Sequence, residues 1–286
     1  MISLVPRTLD EALAERAAHP EAVAIAGGTD LMVAVNFGRL RAPALLDLSH
    51  VDVLKGWSQE NGKMSLGAGV TFARIARELA DHRPLAEASR SVGSPQIRNR
   101  ATVGGNVGTA SPAGDAIPVL AAYDADVVVA SGTRGERRVP WKEFFVGPKR
   151  SALGTDELIL RVEWTVPDGP GSFAKVGTRN AMVIAIAGIC VQLDPRGRNV
   201  RVALGSVAPT VVRAPEAEAY AAATIAWDEP DRPFPAAAAA EFARLTAQAA
   251  TPIDDVRGSA AYRTHAVEVL ARRELEWVLD DWRAAC

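Results

Sequence analysis

At 286 residues, 48% hydrophobic and 23% charged, the chain is long enough for a substantial core and for two domains of ordinary size. A formal net charge of −2, with no stripe of Lys and Arg interleaved with aromatics, argues against a nucleic-acid partner, and no apolar run is long enough to span a bilayer. Two cysteines, Cys190 and Cys286, cannot ligate an iron–sulfur cluster in the usual four-thiolate way, and the four histidines are dispersed without a metal-binding spacing.

In chain order, Thr8 and Glu11 form a T-x-x-E capping box before a helix in which Leu9, Ala12, Leu13, Arg16 and Ala17 recur at helical spacing. That helix should end near His19 and Pro20. A short apolar strand at 22–26 then delivers Gly27 and Gly28, and the apolar segment 30–37 reads as a second helix. Strands are expected at 44–48 and 64–70, separated by a Gly-containing turn, and Thr71 should cap a helix over 72–81. A helix at 85–92 precedes a weak strand at 101–103 and a second glycine pair, Gly104 and Gly105. A helix at 117–122 follows, then a strand at 126–130 that pairs with 137–139 through the charged turn 131–136. Residues 158–166 alternate, with Leu158, Leu160, Val162, Trp164 and Val166 on one side, as in a half-buried antiparallel strand.

The run Pro167-Asp168-Gly169-Pro170-Gly171 blocks both helix and sheet and marks the best domain boundary. Beyond it, strands are expected at 173–175, 183–193 and 200–207, then helices at 236–250 and 262–282. In the last helix Val267, Leu270, Leu275, Val278, Leu279 and Trp282 form a stripe that reads as a face packed on the sheet. Both domains look α+β.

The chemistry lies in the two glycine pairs. Each follows a strand-like run and each is followed by a carboxylate, Asp30 in the first case and Asp115 in the second. Glycine lets successive backbone N–H groups turn inward as a concave nest that suits phosphate oxygens. One such loop is usually a plain tight turn, but two together point to a phosphate ligand. The chain has no GxxxxGK[ST], GxGxxG or GxSxG, so a Walker NTPase, a Rossmann dehydrogenase and a serine hydrolase all lack their signatures. Two nests without a Lys-Ser/Thr motif suggest the pyrophosphate of a dinucleotide bound outside a Rossmann frame.

Several ordered blocks carry a family resemblance: Ala26-Gly27-Gly28-Thr29-Asp30-Leu31, Gln96-Ile97-Arg98-Asn99, Thr102-Val103-Gly104-Gly105-Asn106, Ala110-Ser111-Pro112 with Asp115, Glu157 in Asp-Glu-Leu-Ile-Leu, and Lys175-Val176-Gly177 with Arg179. Gly205-Ser206-Val207-Ala208-Pro209-Thr210 and Tyr262-Arg263 extend it through the C-terminal part. Together they resemble the FAD-binding medium subunit of the molybdenum hydroxylases, the xanthine dehydrogenase, aldehyde oxidase and carbon monoxide dehydrogenase superfamily. The resemblance covers nearly the whole chain. It implies a PCMH-type FAD-binding domain over 1–170, of two α/β subdomains at about 1–50 and 51–170. A C-terminal domain of antiparallel sheet with packed helices would occupy 171–286.

The same resemblance implies the site. Ala26, Gly27, Gly28, Thr29, Asp30 and Leu31 would surround the FAD pyrophosphate, and Thr102, Gly104, Gly105 and Asn106 would approach the pyrophosphate and ribityl chain. Asp115 would accept from a flavin sugar hydroxyl, Ile159 or Leu160 would give backbone contacts, and Lys175 would reach the isoalloxazine ring. No residue of this chain is implied as catalytic toward the organic substrate, and none as a metal ligand. Molybdopterin and two [2Fe-2S] clusters would reside in a large and a small partner subunit, in a dimer of heterotrimers. Electrons would pass from the clusters through FAD to an external acceptor such as NAD⁺, oxygen or a quinone. The Met1 start shows no basic segment followed by an apolar one, so the expected location is the cytoplasm. A stand-alone PCMH-type flavoprotein oxidase or reductase is the alternative, although no histidine or tyrosine stands out as its acid or base. A scaffold without nucleotide is a third reading. Valine at Gly28 or Gly105 is expected to abolish flavin retention while largely sparing the fold.

Overall fold

A computed structural model describes residues 2–286. By contact the chain divides into two compact units that interleave in sequence. The first comprises the residues up to Ile75, Ser94–Ser111 and Asp124–Thr165; the second comprises Ala76–Gly93, Pro112–Tyr123 and Val166–Cys286. The second unit therefore takes in two segments that precede the proline- and glycine-rich stretch at 167–171.

The chain opens with β1 (Ile2–Leu4) and α1 (Leu9–Ala18). The capping box forms as expected: Thr8 Oγ1 accepts from the Glu11 N–H at 3.2 Å, and Glu11 Oε2 accepts from the Thr8 N–H at 3.2 Å. Next come β2 (Val23–Ile25), α2 (Leu31–Asn36) and β3 (Ala44–Asp47), with β3 central in a parallel three-stranded sheet of order β1-β3-β2. Ala44, Leu45 and Leu46 are all buried, because a central parallel strand is covered on both faces. The strands β4 (Trp57–Glu60) and β5 (Lys63–Gly67) form a hairpin whose corner, Asn61 and Gly62, holds φ of 51° and 73°.

Helix α3 (Phe72–Glu78) leads into α4 (Arg83–Ser91) of the second unit, and α5 (Pro95–Arg100) and α6 (Val103–Thr109) return to the first. Helix α7 (Ala116–Ala122), buried at every residue, belongs to the second unit. The first unit is completed by β6 (Asp126–Ser131), β7 (Gly135–Pro140), α8 (Trp141–Phe144), the small pair β8 (Phe145–Gly147) and β9 (Arg150–Ser151), and β10 (Glu157–Thr165). Its main sheet is antiparallel, of order β4-β5-β10-β6-β7. The alternation expected along β10 breaks at a bulge: Ile159 pairs with Val129 and Arg161 with Val128, leaving Leu160 as the extra residue. Leu158 and Leu160 both enter the core beneath α1 and β3.

The second unit is built on an antiparallel sheet, β11 (Gly171–Val176), β12 (Ala187–Asp194), β13 (Asn199–Gly205) and β14 (Val212–Arg213), in that order. Ala187, Ile189, Val191 and Leu193 of β12 share one core with α9 (Pro215–Thr224), α10 (Ala236–Gln248) and α11 (Ala260–Ala285). The expected stripe of α11, from Val267 to Trp282, supplies much of that core. Helix α7 covers the opposite face, where a Cβ at Gly205 would reach Pro118 Cγ at 2.7 Å. Both faces of β12 are thus buried, and Cys190 on it is fully enclosed; burial pushes its thiol well above the ordinary value, so it is unreactive. The architecture is α+β. No helix among the described residues is long and apolar enough to cross a membrane.

Candidate functional site

The first glycine loop carries the donors that the sequence leads one to expect. After β2 the chain turns through Gly27 and Gly28, the latter at φ +73°, into the six-residue helix α2. Among the described residues, the N–H groups of Gly27, Gly28, Thr29, Asp30 and Leu31 donate no hydrogen bond. Consecutive unpaired donors on a half-buried turn are what an anion-binding nest requires. Ala26 and Leu31 flank it, both half-buried, whereas the Asp30 side chain is exposed, with Oδ2 at 4.0 Å from Lys149 Nζ.

The two glycines of this loop do different things. A Cβ on Gly27 would lie 1.9 Å from the carbonyl oxygen of Arg100 at the end of α5, so this glycine permits backbone to touch backbone. Replacing Gly27 by alanine is expected to lower stability by about 1–3 kcal/mol through overpacking, measurable by urea unfolding. Gly28 is held by its left-handed conformation, which any L side chain strains. The expectation that a substitution at Gly28 would spare the fold is therefore corrected.

The second glycine pair is not a strand-end loop. Thr102 is the N-cap of α6, and Gly104 and Gly105 lie in its first turn. All four leading N–H groups are paired: Val103 donates to Val70 O at 3.0 Å, Gly104 to Ala68 O at 2.9 Å, Gly105 to Thr102 Oγ1 at 3.1 Å and Asn106 to Thr102 O at 3.0 Å. Helix capping and contacts to the chain beyond β5 use the donors that an anion nest would need. What the segment offers instead is access. A Cβ at Gly105 would meet only Thr102 Oγ1, at 3.2 Å, and Asn106 Oδ1 is buried without a hydrogen-bond partner. Gly104, by contrast, packs against Ala68, where a Cβ would come within 2.5 Å of the alanine methyl.

Ile159 and Leu160 are buried supports for this turn. The bulged Leu160 carbonyl accepts from the Ala68 N–H at 2.8 Å, and the Ala68 carbonyl in turn holds Gly104. Ile159 Cδ1 lies 3.3 Å from where a Cβ would stand on Gly108.

In the second unit the structure joins two residues that are sixty positions apart. Lys175 Nζ, at the end of β11, donates to Asp115 Oδ2 at 2.6 Å, to the Ser91 carbonyl at 2.9 Å and to the Val183 carbonyl at 3.2 Å. These use all three ammonium protons. Ser91 Oγ lies 3.3 Å from the same Asp115 oxygen, though its single proton has a nearer acceptor in the Ala88 carbonyl at 2.7 Å. The side chains of Lys175 and Asp115 are 10% and 9% exposed, so this ion pair is buried. Burial pushes the Asp115 carboxyl above its usual range, while Lys175 and the Ser91 hydroxyl pull it back. Sequence reasoning flagged Lys175 and Asp115 singly but not their union, and it missed Ser91, Val183 and Ala68, whose roles are played largely by backbone carbonyls.

A family model for the FAD binding domain in molybdopterin dehydrogenase matches residues 2–167, and one for the CO dehydrogenase flavoprotein C-terminal domain matches residues 172–278. The chain is 35% identical over 205 residues to the nicotinate dehydrogenase FAD-subunit of Eubacterium barkeri, covering 67% of this chain and 69% of that protein. It is 32% identical over 281 residues to the nicotine 6-hydroxylase medium subunit of Paenarthrobacter nicotinovorans, covering 94% of each. Among solved structures, a chain of the carbon monoxide dehydrogenase from Hydrogenophaga pseudoflava superposes with a TM-score of 0.88 at 25% identity, over 99% of this chain and 98% of that one.

Proposed function

The chain belongs to the FAD-binding medium subunits of the molybdenum hydroxylases, and from that premise we propose that it serves as the electron-transfer subunit of a molybdenum-containing dehydrogenase complex. In this reading, electrons arrive from [2Fe-2S] clusters of a small subunit and leave for an external acceptor, while a large molybdopterin subunit acts on the organic substrate. Bound FAD supplies the redox chemistry, taking electrons singly and passing them on.

The observation that carries the reading is the set of five unpaired N–H groups from Gly27 to Leu31, the donors that a pyrophosphate nest requires. The unpartnered Asn106 Oδ1, and Gly105 beside it, whose Cβ would meet nothing but Thr102 Oγ1, fit a polar ligand in the same unit. Ala26, Gly27, Gly28, Thr29, Asp30 and Leu31 would hold the diphosphate; Gly105 and Asn106 would supply approach and an amide rather than a second nest, on a turn that Thr102 caps and Gly104 seats against Ala68. Asp115 and Lys175 are assigned to a sugar hydroxyl and the flavin ring, with Ile159 and Leu160 as backing. The Lys175 bond and the Ser91 contact both fall on Asp115 Oδ2, which leaves Oδ1 for a hydroxyl donor. Exposed Met182, Ile184, Ile253, Val256 and Tyr262 supply apolar surface for partner subunits, assembled as a dimer of heterotrimers.

Purified alone, soaked with FAD and desalted, the chain should retain a visible flavin band but should not bleach it with an N-heterocycle or aldehyde. A folded chain without a flavin band would overturn the cofactor reading, and bleaching without partners would favour a self-contained oxidase. Gly105→Ala is expected to keep the melting temperature while weakening FAD binding about tenfold, a loss of about 1.4 kcal/mol, by fluorescence titration. Unchanged affinity in that variant would remove Gly105 from the site.

A further inference from the structure

Arg263, one of the residues in the C-terminal resemblance, is only 2% exposed, yet it reaches three separate chain segments from α11. One Nη donates to the carbonyls of Ile186 at 2.6 Å and Ser206 at 2.7 Å, and the other donates to Asp255 Oδ1 at 2.7 Å. Arg257 also binds Asp255, through its backbone N–H at 2.8 Å and its guanidinium at 2.6 Å.

Each of the two carbonyls belongs to a segment that is hydrogen-bonded to the Lys175–Asp115 pair or to the chain just before it. Ile186 is the last residue of the 177–186 connection, and its N–H closes that connection by donating to Val176 O at 2.8 Å. Within the connection, the Val183 carbonyl accepts from Lys175. Ser206 holds φ +66°, and its N–H donates to Pro112 O at 2.7 Å, three residues before Asp115. A serine in that conformation is strained, and its carbonyl is fixed by the guanidinium. The planar fork can serve two carbonyls and a carboxylate together, which a lysine ammonium on a flexible stem does poorly.

We infer that Arg263 is a positioning residue for the buried Lys175–Asp115 pair, because it fixes from one point the connection that carries Val183 and, through Ser206, the Pro112 carbonyl three residues before Asp115. This rests on the FAD reading for what the pair serves, though Arg263 touches neither member of it. Its removal leaves Lys175 without a fixed third acceptor and frees the approach to Asp115.

The test uses the full chain. Arg263→Lys should weaken FAD binding about tenfold, the scale on which outer partners of a ligand group act. It should also speed amide exchange in residues 177–186 and 112–116 while leaving β6 and β10 unchanged. Asp255→Asn, which loosens the fork and keeps both carbonyl acceptors, should show the same local pattern if the lysine variant does not accumulate. Unchanged exchange in those two segments, or exchange that rises uniformly through the second unit, would overturn the inference. A wild-type chain that takes up no FAD would sink the cofactor reading instead. The exchange comparison needs no flavin and still decides the role of Arg263.

Discussion

Lys175→Met should lower the unfolding free energy by about 3–5 kcal/mol, because it strands the Asp115 carboxylate in a buried place without its counter-charge. The methionine fills a similar volume, so packing changes little and the deficit is electrostatic. Asp115→Asn combined with Lys175→Met should recover most of the loss, since an amide tolerates burial beside Ser91 far better than a carboxylate does. Urea unfolding of the wild type, both single variants and the double variant closes the cycle. A double variant as unstable as Lys175→Met alone would mean that the lysine acts through packing. The pair also constrains ligand binding, since all three ammonium protons are in use. An acceptor that takes one of them displaces a partner already in place, and the Val183 carbonyl on the 177–186 connection makes the longest of the three bonds.

The second large effect concerns pH. Glu274, on α11, is fully buried, and its carboxyl is pushed from 4.5 up to about 7. Burial is the main cause, and Glu87 on α4 adds repulsion. The Ser172 hydroxyl on β11 and Arg83 on α4 act the other way. Cys190 on β12 also faces these carboxylates, and Asp281, farther along α11, pairs with Arg83. A carboxyl whose folded-state value is raised favours the folded chain while protonated. Its contribution is fully present below about 4.5 and is lost as pH rises through about 7. Glu274→Gln removes this penalty: near pH 5 it should change little, and above pH 8 it should stabilise by about 3 kcal/mol. Unfolding midpoints of the two proteins across pH 5–9 measure it. Parallel curves would show that Glu274 does not titrate in this range.

Features set by neighbours in sequence were legible. The Thr8–Glu11 capping box, the 131–136 turn and the α11 stripe all require only residues within a few turns of one another, and each formed. The hairpin of β4 and β5 has a strong turn signal in Asn61-Gly62 but no strand pattern ahead of it, because Trp57, Ser58, Gln59 and Glu60 are all exposed and give no alternation. Helix α9 is silent in the sequence for a related reason: it buries only Ala217 and Ala221, too little to make an apolar face. The second glycine pair read as a loop because Val103 and the glycines resemble a strand end. What makes it a capped helix is the supply of carbonyls from Ala68 and Val70, which lie more than thirty positions earlier. The Lys175–Asp115 bond depends likewise on where β11 lies beside α4, and α4 beside α7, and no local pattern encodes that.

The interleaving of the two units has a consequence for biosynthesis. Helix α7, with every residue buried, packs on β12 and β13 of its own unit, and β13 ends at Gly205. On a ribosome adding roughly 5–20 residues per second, the last of these partners follows about 4–17 seconds after α7 has been made. During that interval an entirely apolar helix waits without its sheet. A gene fragment cut after residue 170 lacks both strands and would never relieve the exposure.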